Sequence, residues 1–296
     1  MNILNFGSLN LDFVYAVDHI VMPGETILSE QVQTFCGGKG LNQSIALARA
    51  GGKVFHAGMV GPDGGMLVDA LWDNGIDAAL VRQMEERTGN AIIQVAADGQ
   101  NSIVLYGGAN RHNDSTYIDH VLSHFGPGDM VLLQNEINLV GQIIDKAWEK
   151  NMRIVLNPSP FDARLDECDM GKVSLFLLNE VEGEQLTGCM DADSILGTLT
   201  SRWHDSAFVL TLGSRGVAYA DSGQRIHRPA CQVPVVDTTA AGDTFTGYFL
   251  TALQEGRAVD KALDLAIAAA SITVSRPGAS VSIPYRHEVD GVTSHC

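Results

Sequence analysis

Two short segments of the sequence contain residue types that could bind and transfer an anionic group. The more informative one, residues 237–245, passes from a β-branched stretch through small residues into a helical stretch. Ala240, Ala241 and Gly242 have little bulk to screen their amides, which can therefore face a phosphoryl group developing negative charge. Asp243 lies beside the same point and could accept a proton from an attacking hydroxyl. An Asp here can also be a simple N-cap, and the two roles are compatible.

The second segment is Gly37-Gly38-Lys39-Gly40, with Asn42 two residues later, ahead of a predicted helix. Glycines let the backbone approach a ligand closely, and free amides at a helix start can face an anion or a sugar hydroxyl. Lys39 adds a mobile cation, and Asn42 adds one acceptor and two donors. Since Gly40 follows Lys39, the spacing is not that of a Walker A loop. The residues alone fit a ligand site and a plain loop-to-helix junction equally well.

Short apolar runs alternate with helical stretches along most of the chain, which predicts the framework that positions these segments. Continuous apolar runs such as residues 130–133 indicate strands buried on both faces. The predicted fold class is α/β, a mostly parallel central sheet with helices on both faces. The expected strands are residues 3–6, 54–59, 130–133, 153–156, 175–178 and 208–211, and the expected helices are residues 43–50, 66–74, 139–150, 194–203, 244–253 and 259–274.

Residues 91–106 interrupt this rhythm with two β-rich runs around Asp98-Gly99, a strong hairpin signal. Residues 27–35 also have strand character and lie outside any βαβ unit. We interpret these runs as a small antiparallel β lid, inserted at about residues 12–35 and 90–107 of a single domain over residues 1–296. An ordinary edge hairpin explains the pattern as well. Exposed lid edges could pair with a second lid, which predicts a homodimer.

The composition bears on partners and location. Acidic residues outnumber basic ones by 35 to 19, and the formal net charge of −16 argues against nucleic acid and anionic membranes as partners. No uncharged apolar run approaches the roughly 18 residues of a membrane span. The five cysteines form no CxxC pair, so neither a disulfide framework nor a zinc site is expected. With no basic leader at the start, we expect a cytoplasmic protein that binds small molecules.

Together, the two segments resemble the ribokinase-like, or phosphofructokinase-B type, family of carbohydrate kinases. The resemblance extends in order from Gly7-Ser8-Leu9-Asn10-Leu11-Asp12 to Arg276-Pro277-Gly278-Ala279, nearly the whole chain. It implies a Rossmann-type three-layer sandwich with a β lid, and ATP-dependent phosphorylation of a sugar hydroxyl. In this interpretation Asp243 is the base, and Ala240, Ala241 and Gly242 form the anion hole.

The resemblance also implies three groups of binding residues. The sugar contacts are Asn10, Asp12, Gly38, Lys39, Asn42, Glu136 and Asp243. The nucleotide contacts are Asn179, Thr211, Gly213, Ser214 and Gly216, with Glu182 organising Mg²⁺ through water. A site for K⁺ or another monovalent cation falls on Asp237, Thr239, Thr273, Arg276, Gly278 and Ser282, partly through carbonyl oxygens. Carboxylates, amides and an ammonium suit a sugar, whose hydroxyls both donate and accept.

Two positions depart from the family pattern. Ile267 stands where ribokinases often have His or Asn near the adenine, so base recognition is expected to differ. Asn135, just before Glu136, is polar where an apolar residue is usual, which would change sugar specificity if the side chain faces the sugar.

The distribution of cations bears on the substrate. No Lys or Arg occurs within residues 1–38, a segment expected to form part of the sugar pocket. A pocket for a sugar phosphate or sugar acid normally needs additional cations, so the segment favours a neutral sugar unless Arg82, Arg87 or Arg111 intervenes. We expect conversion of D-ribose to ribose 5-phosphate.

Two alternatives remain open. A kinase of another neutral sugar or of a nucleoside is one, and a nucleoside would require a shelf such as Phe13 or Tyr15 for its second base. A non-catalytic sugar or nucleotide sensor is the other. Asp243 and Gly242 argue against the sensor, which needs no base.

Overall fold

The computed structural model describes residues 1–292, so Cys296 is outside the described part. Within residues 1–292 the chain forms a nine-stranded sheet, a four-stranded sheet and nine α-helices. The strands are β1 (Ile3–Phe6), β2 (Asn10–Val17), β3 (Gln31–Gly37), β4 (Val54–Val60), β5 (Asp77–Gln83), β6 (Gly89–Ala96), β7 (Asn101–Tyr106), β8 (Met130–Gln134), β9 (Arg153–Asn157), β10 (Leu175–Asn179), β11 (Ala207–Thr211), β12 (Val217–Ala220) and β13 (Arg225–Arg228). The helices are α1 (Lys39–Arg49), α2 (Gly65–Asp73), α3 (Ser115–Leu122), α4 (Val140–Glu149), α5 (Glu180–Thr187), α6 (Ala192–Arg202), α7 (Ala241–Gln254), α8 (Val259–Val274) and α9 (Arg286–Asp290).

The large sheet has the strand order β13-β12-β11-β10-β9-β8-β1-β4-β5. The seven neighbouring strands β11, β10, β9, β8, β1, β4 and β5 pair in parallel. Strands β12 and β13 add an antiparallel edge beside β11. Successive strand residues point to opposite faces: Ile3 belongs to the apolar core that includes side chains of α1, α7 and α8, and Leu4 to the core on the other face, which includes side chains of α3, α4 and α6. The predicted α/β class, a mostly parallel sheet covered on both faces, is confirmed.

The small sheet has the order β3-β2-β6-β7. Its outer pairs are antiparallel, but β2 and β6 pair in parallel, so the expectation of a purely antiparallel appendage is wrong. The difference arises because β2 and β6 are joined through the large sheet rather than by a hairpin. The apolar side chains Ile103, Val104 and Leu105 on β7 are each more than half exposed.

The cysteines and the helices bear on two further expectations. Among the described residues, Cys36, Cys168 and Cys189 are free thiols. None of the helices described between residues 1 and 292 is long and apolar enough to span a membrane.

Candidate active site

Polar residues follow the carboxyl ends of several parallel strands, which meet at one edge of the large sheet. Glu136 follows β8, and Asn157, Asn179 and Thr211 end β9, β10 and β11. In open α/β sheets this edge is where ligands bind. A cavity of 210 Å³ opens here and is lined by Asn157, Asn179, Thr211 and the start of α7. We call it the polar cavity.

Helix α7 begins at the rim of this cavity. It starts at Ala241 and not at the predicted Thr244, because Ala240 adopts a left-handed conformation (φ 61°) that turns the chain into the helix. Gly242 and Asp243 therefore lie in the first turn, whose amides have no intrahelical acceptors. The Ala241 amide donates to the Thr238 carbonyl (3.3 Å), and a Cβ added at Gly242 would meet no atom within 4 Å. The helix start is thus open on the side of Gly242.

Asp243 is buried, with 7 % of its surface exposed. Its Oδ2 accepts a hydrogen bond from Asn42 Nδ2 (3.2 Å), and its Oδ1 accepts one from Gln43 Nε2 (2.9 Å). Both donors lie on α1, which packs closely on α7 because Gly247 lets the two backbones approach. The bonds to Asn42 and Gln43 orient the carboxylate by side chains of another helix, which an N-cap alone would not require.

The glycine-lysine segment forms the first turn of α1. The helix begins at Lys39, earlier than the predicted residue 43, since Gly38 adopts φ 93° and serves as its N-cap. The Lys39 amide donates to Glu136 Oε2 (3.0 Å), and the Ser8 hydroxyl donates to the same oxygen. A Cβ on Gly40 would lie 2.6 Å from the Ser8 carbonyl oxygen, so this contact requires glycine.

Three carboxylates surround the Lys39 ammonium. Burial lowers the pKa of Lys39, but the negative charges of Asp243, Glu136 and Glu182 outweigh it and raise that pKa above its ordinary value. Burial raises the pKa of Glu136, and Lys39 opposes this. Burial, with the charge of Glu136, raises the pKa of Asp12 to about 7. Such closely spaced donors and acceptors suit a ligand with several hydroxyl groups.

Two asparagines complete this region. Asn10 is buried, and its Oδ1 accepts a hydrogen bond from Asn110 Nδ2 (2.8 Å). Asn42 Oδ1 is buried without a partner among residues 1–292. A buried unpaired acceptor is costly, so a ligand donor is the natural partner of this oxygen. Gly37 lies against Asp12, since a Cβ there would be 2.7 Å from Asp12 Oδ1.

Asn179 and Glu182 form a capping box at the start of α5. The Glu182 amide donates to Asn179 Oδ1 (3.0 Å), and the Asn179 amide donates to Glu182 Oε2 (3.0 Å). Asn179 Nδ2 also donates to Glu182 Oε1 (3.1 Å). Both residues line the polar cavity, as Asp243 does. Asn179 and Glu182 therefore have two roles: they cap α5, and they form part of the cavity wall.

A second cavity, of 350 Å³, adjoins the first, because Thr211, Thr238, Gly242 and Phe245 line both. We call it the apolar cavity. Its other lining residues include Gly213, Ser214, Gly216, Ile267 and Ala270. Gly216 adopts φ 96°, and a Cβ there would lie 2.7 Å from the Ala230 amide nitrogen. The predicted nucleotide residues thus lie along a continuous surface from the polar cavity into the apolar one.

The residues expected to hold a monovalent cation lie in the loop before α7, in the last turn of α8 and in the loop that follows α8, and the two loops are hydrogen-bonded to each other. The Asp237 amide donates to the Val274 carbonyl (3.2 Å), and the Gly278 amide donates to Asp237 Oδ2 (2.9 Å). Asp237 Oδ1 accepts from the amide (2.9 Å) and hydroxyl (2.6 Å) of Thr239. These bonds bring Asp237, Thr239 and Gly278 together.

The other three members of that set use their side chains elsewhere. The Thr273 hydroxyl donates to Thr244 Oγ1 (3.0 Å), the Arg276 guanidinium pairs with Glu288 (2.7 Å), and the Ser282 hydroxyl donates to the Ala279 carbonyl (2.7 Å). Only their carbonyl oxygens, apart from the Ser282 hydroxyl lone pairs, remain as ligands.

Each of the side chains that could have altered specificity already has a partner within the described chain. Asn135 Nδ2 donates to the Pro160 carbonyl (2.7 Å). Arg82 pairs with Asp114 (3.2 Å), Arg87 with Asp63 (3.6 Å), and Arg111 donates to the Ile137 carbonyl (2.7 Å). In the described part of the chain, none of these four residues lines the polar or the apolar cavity, and of the predicted sugar contacts only Lys39 and Asp243 do. Lys39 is the cation that lines the polar cavity.

Three contributors were missed by the sequence interpretation. Gln43 holds Asp243, the Ser8 hydroxyl holds Glu136, and Asn157 accepts a hydrogen bond from Gln43 Nε2 (3.0 Å). Each had a signal: Gln43 stands next to Asn42, and Ser8 and Asn157 stand at strand ends, where parallel strands meet the ligand.

Comparison with known proteins gives a consistent result. The family described as pfkB family carbohydrate kinase matches residues 2–286. A ribokinase of Haemophilus influenzae is 39 % identical over 292 residues, covering 95 % of each chain. The crystal structure of a ribokinase from Thermotoga maritima superposes with a TM-score of 0.90 at 31 % identity, covering 100 % of both chains. An Arabidopsis thaliana ribokinase complexed with ribose and ATP superposes with a TM-score of 0.89 at 30 % identity, covering 100 % of this chain and 99 % of that one.

Proposed function

This chain belongs to the pfkB family of carbohydrate kinases, and we propose that it transfers the γ-phosphoryl group of ATP to the 5-hydroxyl of D-ribose. The observation that supports this most is the Asp243 carboxylate, buried at the open start of α7 and held by two amide donors. It occurs in a chain similar throughout to a ribokinase complexed with ribose and ATP.

We propose that the sugar lies against the residues around Lys39. Asp12 and Glu136 would accept hydroxyl protons, Lys39 would donate, and Asn10, Gly38 and Asn42 would complete the set. The unpaired Oδ1 of Asn42 is supplied with a donor when a sugar hydroxyl binds. Because the arginines nearby are engaged elsewhere, a neutral sugar fits better than a sugar phosphate or a sugar acid.

The nucleotide would occupy both cavities. Its phosphates would face Asn179 and the amides of Ala240, Ala241 and Gly242 in the polar cavity. Its ribose and base would extend past Thr211, Gly213, Ser214 and Gly216 into the apolar cavity. Ile267 lines that cavity, so the adenine would be held there through apolar contact with its ring faces.

In the proposed reaction Asp243 accepts the proton of the 5-hydroxyl as the hydroxyl oxygen attacks the γ-phosphorus; the bond from that phosphorus to the β,γ-bridging oxygen breaks, and ADP leaves. The transition state of phosphoryl transfer is loose, so the hydroxyl need not be fully deprotonated beforehand, and a buried carboxylate can serve mainly to orient it. The amides at the start of α7 face the charge that develops on the transferred group. They are uncharged, so an acidic chain can hold a polyanion without a cluster of lysines and arginines.

We propose Mg²⁺ as a cofactor that enters with the nucleotide. The residues described contain no cluster of three or more His, Cys, Asp or Glu able to hold a metal alone, which fits an ion held largely by phosphates and water. Glu182 fits an outer role: both of its carboxylate oxygens already accept a hydrogen bond from Asn179 but keep lone pairs toward the cavity. When bound, the ion would neutralise phosphate charge.

We also propose a monovalent cation, K⁺, at the two loops joined by Asp237. The Asp237 carboxylate with the neighbouring carbonyls fits a cation that prefers several oxygen ligands. Thr239, Thr273, Arg276 and Gly278 would contribute carbonyl oxygens, and Ser282 its hydroxyl or carbonyl. This loop leads directly into the turn at Ala240, so the cation would help to hold the anion-binding turn.

Three further features belong to the proposal. Residues 1–296 would form one kinase domain, with the small sheet as a lid. The exposed apolar side chains of β7 would pair with a second copy, giving a homodimer. The enzyme would work in the cytoplasm, where ATP, its co-substrate, is available.

The proposal is tested by measuring ADP release with ATP and a panel of acceptors: ribose, 2-deoxyribose, fructose, fructose 6-phosphate and adenosine. We expect the highest kcat/KM with ribose and little activity with the sugar phosphate. A highest value with adenosine would replace ribose by a nucleoside. Tight ribose binding by calorimetry without any turnover would replace the kinase by a sensor.

A further inference from the structure

A continuous chain of buried polar side chains leads from the core of the large sheet to Asp243. Its members are His56 on β4, Ser44 on α1, Asn5 on β1, Gln134 on β8 and Gln43 on α1, and each has an exposed fraction of 0 %. His56 Nδ1 contacts Ser44 Oγ (2.8 Å), and Asn5 Nδ2 donates to Ser44 Oγ (2.8 Å). Gln134 Nε2 donates to Asn5 Oδ1 (2.9 Å) and Gln43 Oε1 (2.7 Å). We call this series the amide chain.

The amide chain leaves Gln43 one orientation. Its Nε2 uses both hydrogens, one on Asp243 Oδ1 (2.9 Å) and one on Asn157 Oδ1 (3.0 Å). Its Oε1 accepts from Gln134 Nε2. If the amide turned over, its oxygen would face the Asp243 carboxylate, which when ionised has no proton to donate. Gln134 prevents this, because only an oxygen of Gln43 can accept its hydrogen.

The two donors on Asp243 differ in what else they can reach. Asn42 has 6 % of its surface exposed, and its Oδ1 is a buried acceptor without a partner among residues 1–292. Gln43 is fully buried and lines neither cavity in the described chain. Any effect of Gln43 on a bound substrate therefore passes through its two partners, Asp243 and Asn157, which both line the polar cavity.

We infer that Gln43 is the positioning residue of Asp243, and that Gln134 holds Gln43 in its working orientation. Gln43 and Asn42 each use one lone pair of the carboxylate, on different oxygens, which fixes its plane and leaves the remaining lone pairs toward the sugar hydroxyl. The inference rests on the proposed function, in which Asp243 is the base. A charge-assisted hydrogen bond of this kind is stronger than an ordinary one, so its loss is measurable in turnover.

The test compares three Gln→Met variants, which keep the side-chain length and remove the amide. Gln43→Met removes the donor to Asp243, and Gln134→Met removes only the group that orients Gln43. Gln254→Met is the matched control: Gln254 lies at the far end of α7, where its Nε2 donates to the Met1 and Lys53 carbonyls (2.9 and 3.2 Å). For each, kcat and KM for ribose, the Kd of ribose without nucleotide, and the Tm are measured.

We expect kcat to fall by about thirtyfold in Gln43→Met and by roughly threefold to tenfold in Gln134→Met, with the Kd of ribose changed by less than about threefold. Gln254→Met should keep the wild-type kcat. This separation of kcat from affinity is what a purely structural role of the amide chain would not produce.

The inference is overturned if Gln43→Met keeps kcat within twofold of wild type while its Tm falls, or if kcat and ribose affinity fall together. If Gln43→Met yields no folded protein, Gln134→Met decides: an unchanged kcat in that variant refutes the orienting role. Failure of the proposed function looks different, because the wild type would then turn over no sugar at all.

Discussion

The contact between α1 and α7 at Gly247 should be a sensitive determinant of activity. A Cβ added at Gly247 would lie 2.6 Å from the Leu47 amide nitrogen and 2.7 Å from the Ala46 carbonyl carbon, against about 3.4 Å for an ordinary contact. In Gly247→Ala the two helices must therefore separate by roughly 0.8 Å. Asp243 lies one turn earlier on the same face of α7, so the separation acts directly on its bonds to α1.

The expected loss follows from those two bonds. They measure 3.2 Å from Asn42 and 2.9 Å from Gln43, and a lengthening of roughly 0.8 Å takes both out of hydrogen-bonding range. A hydrogen bond to a charged group contributes about 1.5–3 kcal/mol, and each 1.4 kcal/mol is tenfold in rate. The loss of both bonds corresponds to about 3–6 kcal/mol, so we expect Gly247→Ala to lower kcat by at least about a hundredfold.

The same variant is expected to lose stability, by up to about 2 kcal/mol from packing and further from the bonds lost by the buried Asp243. Replacing a mid-helix Gly by Ala stabilises a helix by about 1 kcal/mol, and overpacking costs about 1–3 kcal/mol. Gly197→Ala on α6 is the matched control, since the nearest atom to its new Cβ is Arg225 Nη2 at 3.5 Å. That variant should gain up to about 1 kcal/mol and keep full activity.

The assay is steady-state ADP release with ribose, together with urea unfolding of both variants. Full activity and increased stability in Gly247→Ala, equal to Gly197→Ala, would refute the argument that close helix packing positions Asp243. Loss of activity in both variants would also refute it, because the control has no clash to relieve.

Three further predictions concern the cation, the pH dependence and the assembly. K⁺ should raise the rate over Na⁺ in the wild type, and Asp237→Asn should abolish the difference; a wild type indifferent to the cation would remove the proposed site. The pKa of Asp12, raised from 3.8 to about 7, means that the native state holds this proton more tightly than the unfolded chain, so stability contributed here falls as pH rises from about 4 to 7. Asp12→Asn should therefore have a higher Tm than wild type at pH 8 and a similar Tm near pH 4. If the variant and the wild type had the same Tm at pH 8 as well as at pH 4, the burial of this carboxyl would be contradicted. Light scattering should give a dimer that Val104→Asp converts to a monomer, whereas a wild-type monomer at micromolar concentration would exclude pairing through the lid.

The fold class and the two chemical segments could be predicted because their signals are local. Continuous apolar runs such as residues 130–133 mark strands covered on both faces, and β8 spans Met130–Gln134. The segments at residues 37–42 and 237–245 combine glycine, small residues and single polar groups over a few positions. Such a combination predicts a ligand-binding loop at a helix start from a few consecutive residues, without information on the rest of the chain.

Elements whose sequence lacks the apolar pattern of a buried strand or helix could not be predicted. Strand β13 reads Arg-Ile-His-Arg at the sheet edge, where solvent tolerates charged side chains. Strand β5 occupies the opposite edge and has an irregular register with β4. Helix α3 was also missed, although Asp114 caps it by accepting from the Tyr117 amide (2.7 Å), which is a readable signal.

The contacts that orient Asp243 could not be predicted from the sequence for a different reason. Gln43 and Asp243 are 200 positions apart, and Gln134 is 91 positions from Gln43. Their meeting depends on the order of strands in the sheet and on the close packing of α1 on α7. Neither follows from local pattern, and a lone Gln in a helix is more often a surface residue than a partner of a carboxylate.

The central claim is that Asp243 is the base of an ATP-dependent ribose kinase. It is tested most directly by Asp243→Asn, with ribose affinity measured by calorimetry beside kcat from ADP release. The account predicts that kcat falls by about a hundredfold to ten-thousandfold while the Kd of ribose stays within about tenfold of wild type. Wild-type turnover in the Asn variant would contradict the account.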